Sequence, residues 1–224
     1  MILVFDLDDT LYKEIEYVKS GLKAVSKNLN KKLQINQQSS FDFMFDYLKN
    51  NGRGNIFNAL LSEYSIFTKQ NLKECITCYR FHNPIIKIEK QTLNSLSKLK
   101  KKHSLYLVTD GNKVVQKKKI DALKIQKYFN KIFITHRYGI KNAKPSLYCF
   151  NKIKKIENCE WSNIIYIGDN PQKDFISLNN VGAMTIRVLQ GSYKKFKAKK
   201  GYDAQKTFQS LNEFFINYEK KKKI

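Results

Sequence analysis

Residues 2–12 read ILVFDLDDTLY, an apolar run that ends in three carboxylates and a hydroxyl. Four consecutive apolar residues at positions 2–5 predict a strand that is buried on both faces, as in a parallel sheet. The carboxyl ends of such strands meet at the crevice where open α/β sheets bind ligands. The stretch therefore predicts an α/β fold with Asp6, Asp8 and Asp9 at its ligand-binding edge.

Asp6 and Asp8 are separated by one residue, so in an extended backbone their side chains project to the same side. Two carboxylates held close repel each other unless a cation or a positive side chain offsets their charge. Carboxylate oxygens suit a hard divalent ion, and Mg²⁺ keeps water ligands that a phosphorylated substrate can replace. The pair predicts a magnesium site, although acids after a strand also serve as simple helix caps.

The composition fits a globular protein. A chain of 224 residues can bury a sizeable core, as one large domain or as a core with an insertion, and its 42% hydrophobic content excludes a disordered chain. Asp6 interrupts the N-terminal apolar run before it reaches signal-peptide length, and no apolar stretch is long enough to cross a bilayer. We therefore expect a soluble, cytoplasmic protein with no membrane partner.

The net charge of +23 raises the possibility of nucleic-acid binding, because basic surfaces release counterions from phosphate backbones. Lysine supplies nearly all of this charge, and the chain shows no arginine-rich reading helix, zinc finger or aromatic RNA-binding motif. A compositional bias of the source genome would also explain lysines on solvated faces, including the run at residues 117–119. We expect no nucleic-acid partner, and a field that attracts small anionic molecules.

The periodicity divides the chain into a helical block and an alternating region. The helical block has apolar residues at helical spacing over residues 15–35, 41–48, 55–66 and 70–80. In the alternating region, we predict helices around 89–101, 114–124, 146–156 and 173–180 and strands at 104–109, 132–135, 164–168 and 184–188. A terminal helix at 208–218 and a lysine tail follow. Repeated helix–strand units imply a parallel sheet with right-handed crossovers. We predict an α/β fold: a Rossmann-like core with helices on both faces (residues 1–14 and 86–224) and an inserted α-helical cap (residues 15–85).

Further polar residues follow the predicted strands. Thr109, Asp110 and Gly111 end one strand, where a hydroxyl and turn N–H groups suit phosphoryl oxygens. Lys144 precedes Pro145, which is suited to a first helical turn, and the next strand runs into Gly168-Asp169 and on to Asp174. Each feature alone also fits an ordinary turn, cap or surface lysine.

Taken together, these residues resemble the four motifs of the haloacid dehalogenase-like (HAD) hydrolases, with the helical block where that family carries C1 caps. Residues 6–10 match motif I, Thr109 motif II, Lys144 motif III, and residues 168–174 motif IV. The resemblance implies that Asp6 is the nucleophile of an aspartyl-phosphate mechanism, and that Asp8 protonates the leaving oxygen and then activates water. An acid at position 8 favours phosphoryl transfer, because halide departure needs no proton.

The resemblance also implies a Mg²⁺ cofactor held by a side-chain oxygen of Asp6, the backbone carbonyl of Asp8, and Asp169. Asp174 would support this set or orient Lys144, while Thr109 and Lys144 would offset charge on the phosphoryl group.

Substrate specificity is expected from the turn near Tyr12, from the Asp110-Gly111 turn, and from Arg53 and Arg80 in the cap; a surface or cap–core ion pair is the alternative for both arginines. The predicted function is hydrolysis of a small phosphorylated metabolite, with a sugar or polyol phosphate for surface-polysaccharide synthesis favoured. A nucleoside monophosphate, a phosphoglycolate-like acid, phosphotransfer to an acceptor other than water, and nucleic-acid binding on a disabled scaffold are the alternatives. The sequence leaves the oligomeric state open.

Overall fold

The computed structural model of the chain describes residues 1–220, so the predicted lysine tail, with its run at 220–223, lies outside the described residues from residue 221 onward. The chain divides into two compact units. Unit 1 consists of Met1–Glu14 and the chain from Lys87 onward, and unit 2 of Ile15–Ile86.

Unit 1 is built on a six-stranded sheet in which every neighbouring pair of strands is parallel. The strands are β1 (Ile2–Phe5), β2 (Ser104–Thr109), β3 (Lys131–Ile134), β4 (Ile164–Gly168), β5 (Met184–Val188) and β6 (Lys206–Phe208). Their order is β3-β2-β1-β4-β5-β6, the arrangement of a doubly wound Rossmann-type sheet. The predicted fold class is confirmed.

The strand order reverses at β1, which pairs with β2 on one side and β4 on the other. In a sheet of this kind the ligand crevice lies at the carboxyl ends of the strands beside that switch point. Asp6 follows β1 directly and Asp169 follows β4 directly. The topology therefore brings both acids to the same edge of the sheet.

The helices of unit 1 from Lys87 onward are α5 (Lys90–Lys100), α6 (Lys113–Leu123), α7 (Tyr148–Glu157), α8 (Ile176–Asn180) and α9 (Leu211–Lys220). Two predicted helices begin later than expected. Pro145 lies in a turn closed by the N–H of Ser146 on the carbonyl of Ala143, so it is ahead of α7 rather than in its first turn. A turn at residues 170–174 similarly delays α8.

The predicted terminal helix at residues 208–218 is shifted because of β6. Lys206–Phe208 forms this short strand, and Phe208 pairs with Val188 of β5. The helix therefore begins at Leu211. A three-residue strand that contains Lys and Thr offers no apolar run from which to predict it.

The core of unit 1 explains why the sheet forms. All residues of β1 and β4 are buried, as a continuous apolar run predicts for central parallel strands. Phe133, Phe150 and Phe175 pack with Val4 and Tyr166 in one cluster. The first strand is thereby fixed in the middle of the core, and its end is fixed with it.

Unit 2 is helical and has its own core. It contains α1 (Glu14–Leu33, which begins at the last N-terminal residue of unit 1), α2 (Gln37–Asn51), α3 (Ile56–Glu63) and α4 (Lys69–Phe81). Leu22, Val25, Met44 and Leu60 are at most 1% exposed and belong to one apolar cluster. Helix α2 begins before the predicted residue 41 because the side chain of Asn36 accepts a hydrogen bond from the N–H of Ser39.

Candidate active site

Three acids meet at the carboxyl edge of the sheet. Asp6 and Asp169 are each 5% exposed and Asp174 is 2% exposed. Each offers one carboxylate oxygen, and these oxygens all lie within 4.8 Å of one another. The turn after β4 holds Asp174 in place, because its Oδ2 accepts a hydrogen bond from the N–H of Asn170. Residues far apart in sequence thus form one buried carboxylate cluster.

Burial and mutual repulsion disfavour the charged form of these carboxyl groups. Burial raises the pKa of Asp6 to about 7 against the pull of Lys144, and Asp174 adds to the rise. Burial, with Asp174 and Asp6, raises the pKa of Asp169 to about 9. A hard divalent cation binds such carboxylate oxygens and removes the repulsion. The donor set therefore fits Mg²⁺.

Lys144 is the positive group within the cluster. Its side chain is 1% exposed, and its Nζ lies 2.8 Å from Asp6 Oδ1 and 2.8 Å from Asp174 Oδ1. Burial alone would lower the pKa of Lys144, but Asp174 and Asp6 raise it well above its usual value. The ammonium is therefore charged and placed directly beside the predicted nucleophile.

Tyr166 completes this arrangement and was not predicted from the sequence. Its hydroxyl accepts a hydrogen bond from Lys144 Nζ at 2.8 Å and donates one to Asp174 Oδ1 at 3.2 Å. Tyr166 lies inside β4, where it reads as one more buried residue of an apolar strand. Only the distant partners on the other elements reveal its polar function.

Asp8 has a separate set of partners, which corrects the expectation that it projects beside Asp6. Strand β1 ends at Phe5, so strand alternation does not extend to position 8. Asp8 Oδ1 accepts hydrogen bonds from Tyr12 Oη at 2.6 Å and Lys119 Nζ at 2.8 Å, and Oδ2 accepts one from Gln116 Nε2 at 2.9 Å. Burial would raise the pKa of Asp8, yet Lys119 and these hydrogen bonds lower it. The Asp8 carboxylate is thus outside the acid cluster.

Lys119 contradicts the expectation that the lysines of residues 117–119 lie on a solvated face. Its side chain is 3% exposed and pairs with Asp8 and, at 3.5 Å, with Glu14. Gln116, one turn earlier on α6, is also buried. The i,i+3 spacing of Gln116 and Lys119 places them on one helix face, but spacing alone does not distinguish a buried polar face from an exposed one.

The polar side chains of the turn after β2 bind other protein groups, whereas the sequence predicted that they bind substrate. The hydroxyl of the fully buried Thr109 accepts a hydrogen bond from Gln116 Nε2. Asp110 Oδ1 accepts from the Thr135 hydroxyl at 2.7 Å and from the backbone N–H of Lys144 at 3.1 Å, and its Oδ2 pairs with Lys173 Nζ at 3.0 Å. The Asp110 carboxylate therefore orders the Lys144 loop, and its predicted contact with substrate stays a prediction.

Gly111 follows with φ of +129°, a backbone conformation that favours glycine, and an added Cβ there would lie 3.3 Å from Gln116 Cγ. Lys173, a second lysine at this edge and one that sequence reasoning missed, is 35% exposed in its side chain. In the sequence it is an unremarkable lysine within motif IV.

Asp9, the third acid of the opening stretch, bonds to the start of α1. Its Oδ1 accepts a hydrogen bond at 2.8 Å from the N–H of Glu14, the first residue of α1, and its Oδ2 accepts one at 3.2 Å from the N–H of Ser192. Asp9 has φ of +51°. It therefore ties the turn after β1 to the loop after β5.

The three remaining candidates differ in their surroundings. Tyr12 is 6% exposed, and its hydroxyl donates a hydrogen bond to Asp8, so it helps to orient that carboxylate. Its predicted contact with substrate stays a prediction. Arg53 is exposed between α2 and α3, and Arg80 is exposed in the last turn of α4, both in unit 2. Substrate contact by either arginine stays a prediction.

Among residues 1–220, no helix is long and apolar enough to span a membrane. The model of the family "haloacid dehalogenase-like hydrolase" matches residues 3–188. Two proteins named glyceraldehyde 3-phosphate phosphatase are similar in sequence. That of Methanocaldococcus jannaschii is 26% identical over 219 residues, which cover 94% of this chain and 93% of the relative. That of Pyrococcus furiosus is 26% identical over 208 residues, which cover 86% and 82%.

Solved structures share the fold. The HAD-hydrolase YfnB from Bacillus subtilis, determined with bound magnesium, matches with a TM-score of 0.66 and 18% identity, covering 96% of this chain and 97% of that one. A HAD-superfamily hydrolase from Geobacter sulfurreducens matches with a TM-score of 0.67 and 14% identity, covering 96% and 95%.

Proposed function

Because the chain belongs to the haloacid dehalogenase-like hydrolases, we propose that it is a magnesium-dependent phosphatase that hydrolyses a small phosphorylated metabolite through Asp6. The observation that carries this proposal is the buried cluster of Asp6, Asp169 and Asp174, with the ammonium of Lys144 beside Asp6 and Asp174. A carboxylate nucleophile, a cation-binding acid set and a fixed positive charge are the components that phosphoryl transfer needs.

In the proposed reaction, a carboxylate oxygen of Asp6 forms a bond to phosphorus as the bond to the leaving alcohol oxygen breaks. Because Lys119 lowers its pKa, Asp8 must first take up a proton, which it then supplies to that oxygen so that the alcohol leaves neutral. Asp8 then takes a proton from the water that attacks phosphorus, which releases phosphate and restores Asp6. Lys144 and Lys173 offset the charge of the phosphoryl oxygens.

The residues that would hold Mg²⁺ are Asp6 and Asp169 through their side chains and Asp8 through its backbone carbonyl, with Asp174 in support. When bound, the ion supplies positive charge that neutralises the carboxylates and the phosphoryl group. The raised pKa values of Asp6 and Asp169 support this assignment, because both carboxyls lack enough positive charge around them.

We propose that residues 15–85 act as the cap and that Arg53 and Arg80 contact the substrate. The substrate class we favour is a small sugar phosphate, and the first to test is a triose phosphate, because two relatives are named glyceraldehyde 3-phosphate phosphatase. Such metabolites occur in the cytoplasm, where we expect the enzyme to act. The net charge of +23 is consistent with small anionic substrates.

The experiment is a phosphate-release screen over triose, hexose and polyol phosphates, nucleoside monophosphates and phosphoglycolate, with Mg²⁺ and with EDTA. We expect release from a sugar phosphate that EDTA abolishes. Asp6→Asn should lower the rate by at least about a thousandfold. Asp46→Asn, which changes an exposed aspartate of α2, should leave the rate unchanged. Turnover in Asp6→Asn at the wild-type rate would contradict the proposal, as would full activity in EDTA.

A further inference from the structure

Lys119 lies between two carboxylates inside unit 1. Its Nζ is 2.8 Å from Asp8 Oδ1 and 3.5 Å from Glu14 Oε1, and its side chain is 3% exposed. Taking an ammonium out of water costs free energy that must be offset by close partners. The ion pairs with Asp8 and Glu14 therefore stabilise the buried ammonium of Lys119. The neighbouring Lys117 differs, because its side chain is 51% exposed.

The partners of Lys119 leave the Asp8 carboxylate little freedom. Lys119 and Tyr12 donate to Oδ1, and Gln116 donates to Oδ2. Gln116 also donates to the hydroxyl of the buried Thr109 on β2. Both oxygens of Asp8 are thus held by donors from α6 and from Tyr12, and Gln116 is itself bonded to β2 through Thr109. Lys119 is the charged member of this set.

We propose that Lys119 is a positioning residue for proton transfer by Asp8. The inference rests on the proposed function, in which Asp8 gives a proton to the leaving oxygen. Proton transfer requires a fixed distance between the acid and the oxygen that receives the proton. Lys119 fixes the carboxylate from the side of α6, and Glu14 gives the ammonium a second ion-pair partner. Lys119 therefore serves the reaction without touching the substrate.

A comparison of two leaving groups tests this role. An alkyl phosphate, such as a triose or glycerol phosphate from the screen, needs a proton on its leaving oxygen, whereas p-nitrophenyl phosphate releases a stable anion that needs none. The quantity to compare is kcat/KM, which covers the steps up to departure of the leaving group. A misplaced acid should affect only the alkyl substrate.

Lys119→Met should lower kcat/KM for the alkyl phosphate by about a hundredfold, within the range that general acids contribute, and change kcat/KM for p-nitrophenyl phosphate by less than about threefold. Lys117→Met on the same helix is the matched control and should leave both values unchanged. Circular dichroism and thermal unfolding show whether the variants fold. An equal loss on both substrates, or no loss on either, would overturn the proposal.

If Lys119→Met does not fold, Lys119→Gln decides the question. Glutamine keeps an N–H donor but not the charge, so we expect a smaller loss that is again confined to the alkyl substrate; an equal loss on both substrates would overturn the proposal. A wild-type protein that hydrolyses neither compound would contradict the proposed function itself. A wild-type protein that hydrolyses both, combined with an equal loss in the variants, would refute only the inference about Lys119.

Discussion

The ammonium of Lys144 lies 2.8 Å from Oδ1 of Asp6, although the two residues are 138 positions apart in the chain. The Lys144 side chain is 1% exposed and that of Asp6 is 8% exposed. The same ammonium also pairs with Asp174. A single lysine is thus the nearest positive charge to two buried carboxylates.

Removing this charge should destabilise the protein in a way that depends on magnesium. Breaking a buried ion pair by deleting one partner costs about 3–5 kcal/mol, because the other charge stays buried and unpaired. We expect Lys144→Met to lower the free energy of unfolding by about 3 kcal/mol in EDTA and by clearly less in Mg²⁺. Urea unfolding in both buffers measures this difference.

The control for that experiment is Lys98→Met. Lys98 is 67% exposed in its side chain and pairs with Glu219 at 3.4 Å, so its loss should cost less than about 1 kcal/mol in either buffer. The same destabilisation of Lys144→Met in EDTA and in Mg²⁺ would show that the acids it neutralises do not bind the ion.

The convergence of Asp6 and Asp169 could be predicted because parallel strands present their carboxyl ends at one edge, whereas Lys144, in the loop before α7, was assigned only through the resemblance to motif III. An apolar run that ends in acids locates such an edge without any coordinates. The sheet was predictable because its strands 104–109, 164–168 and 184–188 are mostly apolar and alternate with helices. The position of β1 at the switch point follows only from the pairing of the folded strands.

The polar residues that support the site could not be predicted. Tyr166 and Lys119 lie within an apolar strand and a lysine run, so local composition points away from a polar function for either. What gives them that function is a partner on another element, Asp174 for the tyrosine and Asp8 for the lysine. Asp110 shows the converse: its position at a strand end suggests substrate contact, but Thr135 and the Lys144 loop occupy its carboxylate.

Stability in the absence of magnesium should fall as the pH rises. The pKa of Asp169 is about 9 in the folded protein and that of Asp6 is about 7, against an ordinary value of 3.8. Between pH 4 and these values the folded state binds more protons than the unfolded state, so each step up in pH favours unfolding. In EDTA the Tm should therefore be lower at pH 9 than at pH 6.

The stabilisation that magnesium gives should increase as the pH rises, because the ion competes with protons for the same carboxylates. We expect a saturating concentration of Mg²⁺ to raise the Tm more at pH 9 than at pH 6. Differential scanning fluorimetry at both pH values, with and without the ion, provides the comparison. An increase of the same size at both pH values would mean that Mg²⁺ binds away from Asp6 and Asp169.

Gly191 should be essential for the turn that carries Asp8 and Asp9. It has φ of +59°, and an added Cβ would lie 1.9 Å from Asp9 Cγ. Gly191→Ala therefore forces the Asp9 carboxylate away from the N–H groups it accepts from, and we expect a loss of kcat/KM of at least about tenfold together with lower stability. Steady-state kinetics and thermal unfolding measure the two effects.

Gly182→Ala separates backbone strain from displacement of Asp9. Gly182 also has a positive φ, +84°, but an added Cβ would meet nothing within 4 Å. Gly182→Ala should lower the free energy of unfolding by about 1–2 kcal/mol and leave kcat/KM unchanged. If Gly191→Ala and Gly182→Ala lose similar amounts of kcat/KM, backbone strain and not displacement of Asp9 causes the loss.

Arg187 should hold the lysine-rich loop that follows β5. Its side chain is 4% exposed, donates from Nη1 to Asp203, and donates from Nη2 to the carbonyls of Tyr193 and Phe196 at 2.8 Å each. Hydrogen bonds from a charged donor contribute about 1.5–3 kcal/mol. Arg187→Met should lower the local stability of the loop by about 2 kcal/mol, which corresponds to roughly thirtyfold more frequent opening.

Trypsin detects this opening, because the loop contains Lys194, Lys195 and Lys197, all exposed. When cleavage is slow relative to reclosing, its rate follows the population of the open loop. Mass spectrometry of brief digests should therefore show faster cleavage at these lysines in Arg187→Met than in the wild type. Arg137→Met, which changes an exposed arginine, should match the wild type. If the loop is cut at the wild-type rate in Arg187→Met, its order comes from another contact, of which the pairing of Asp9 with Ser192 is the first to test.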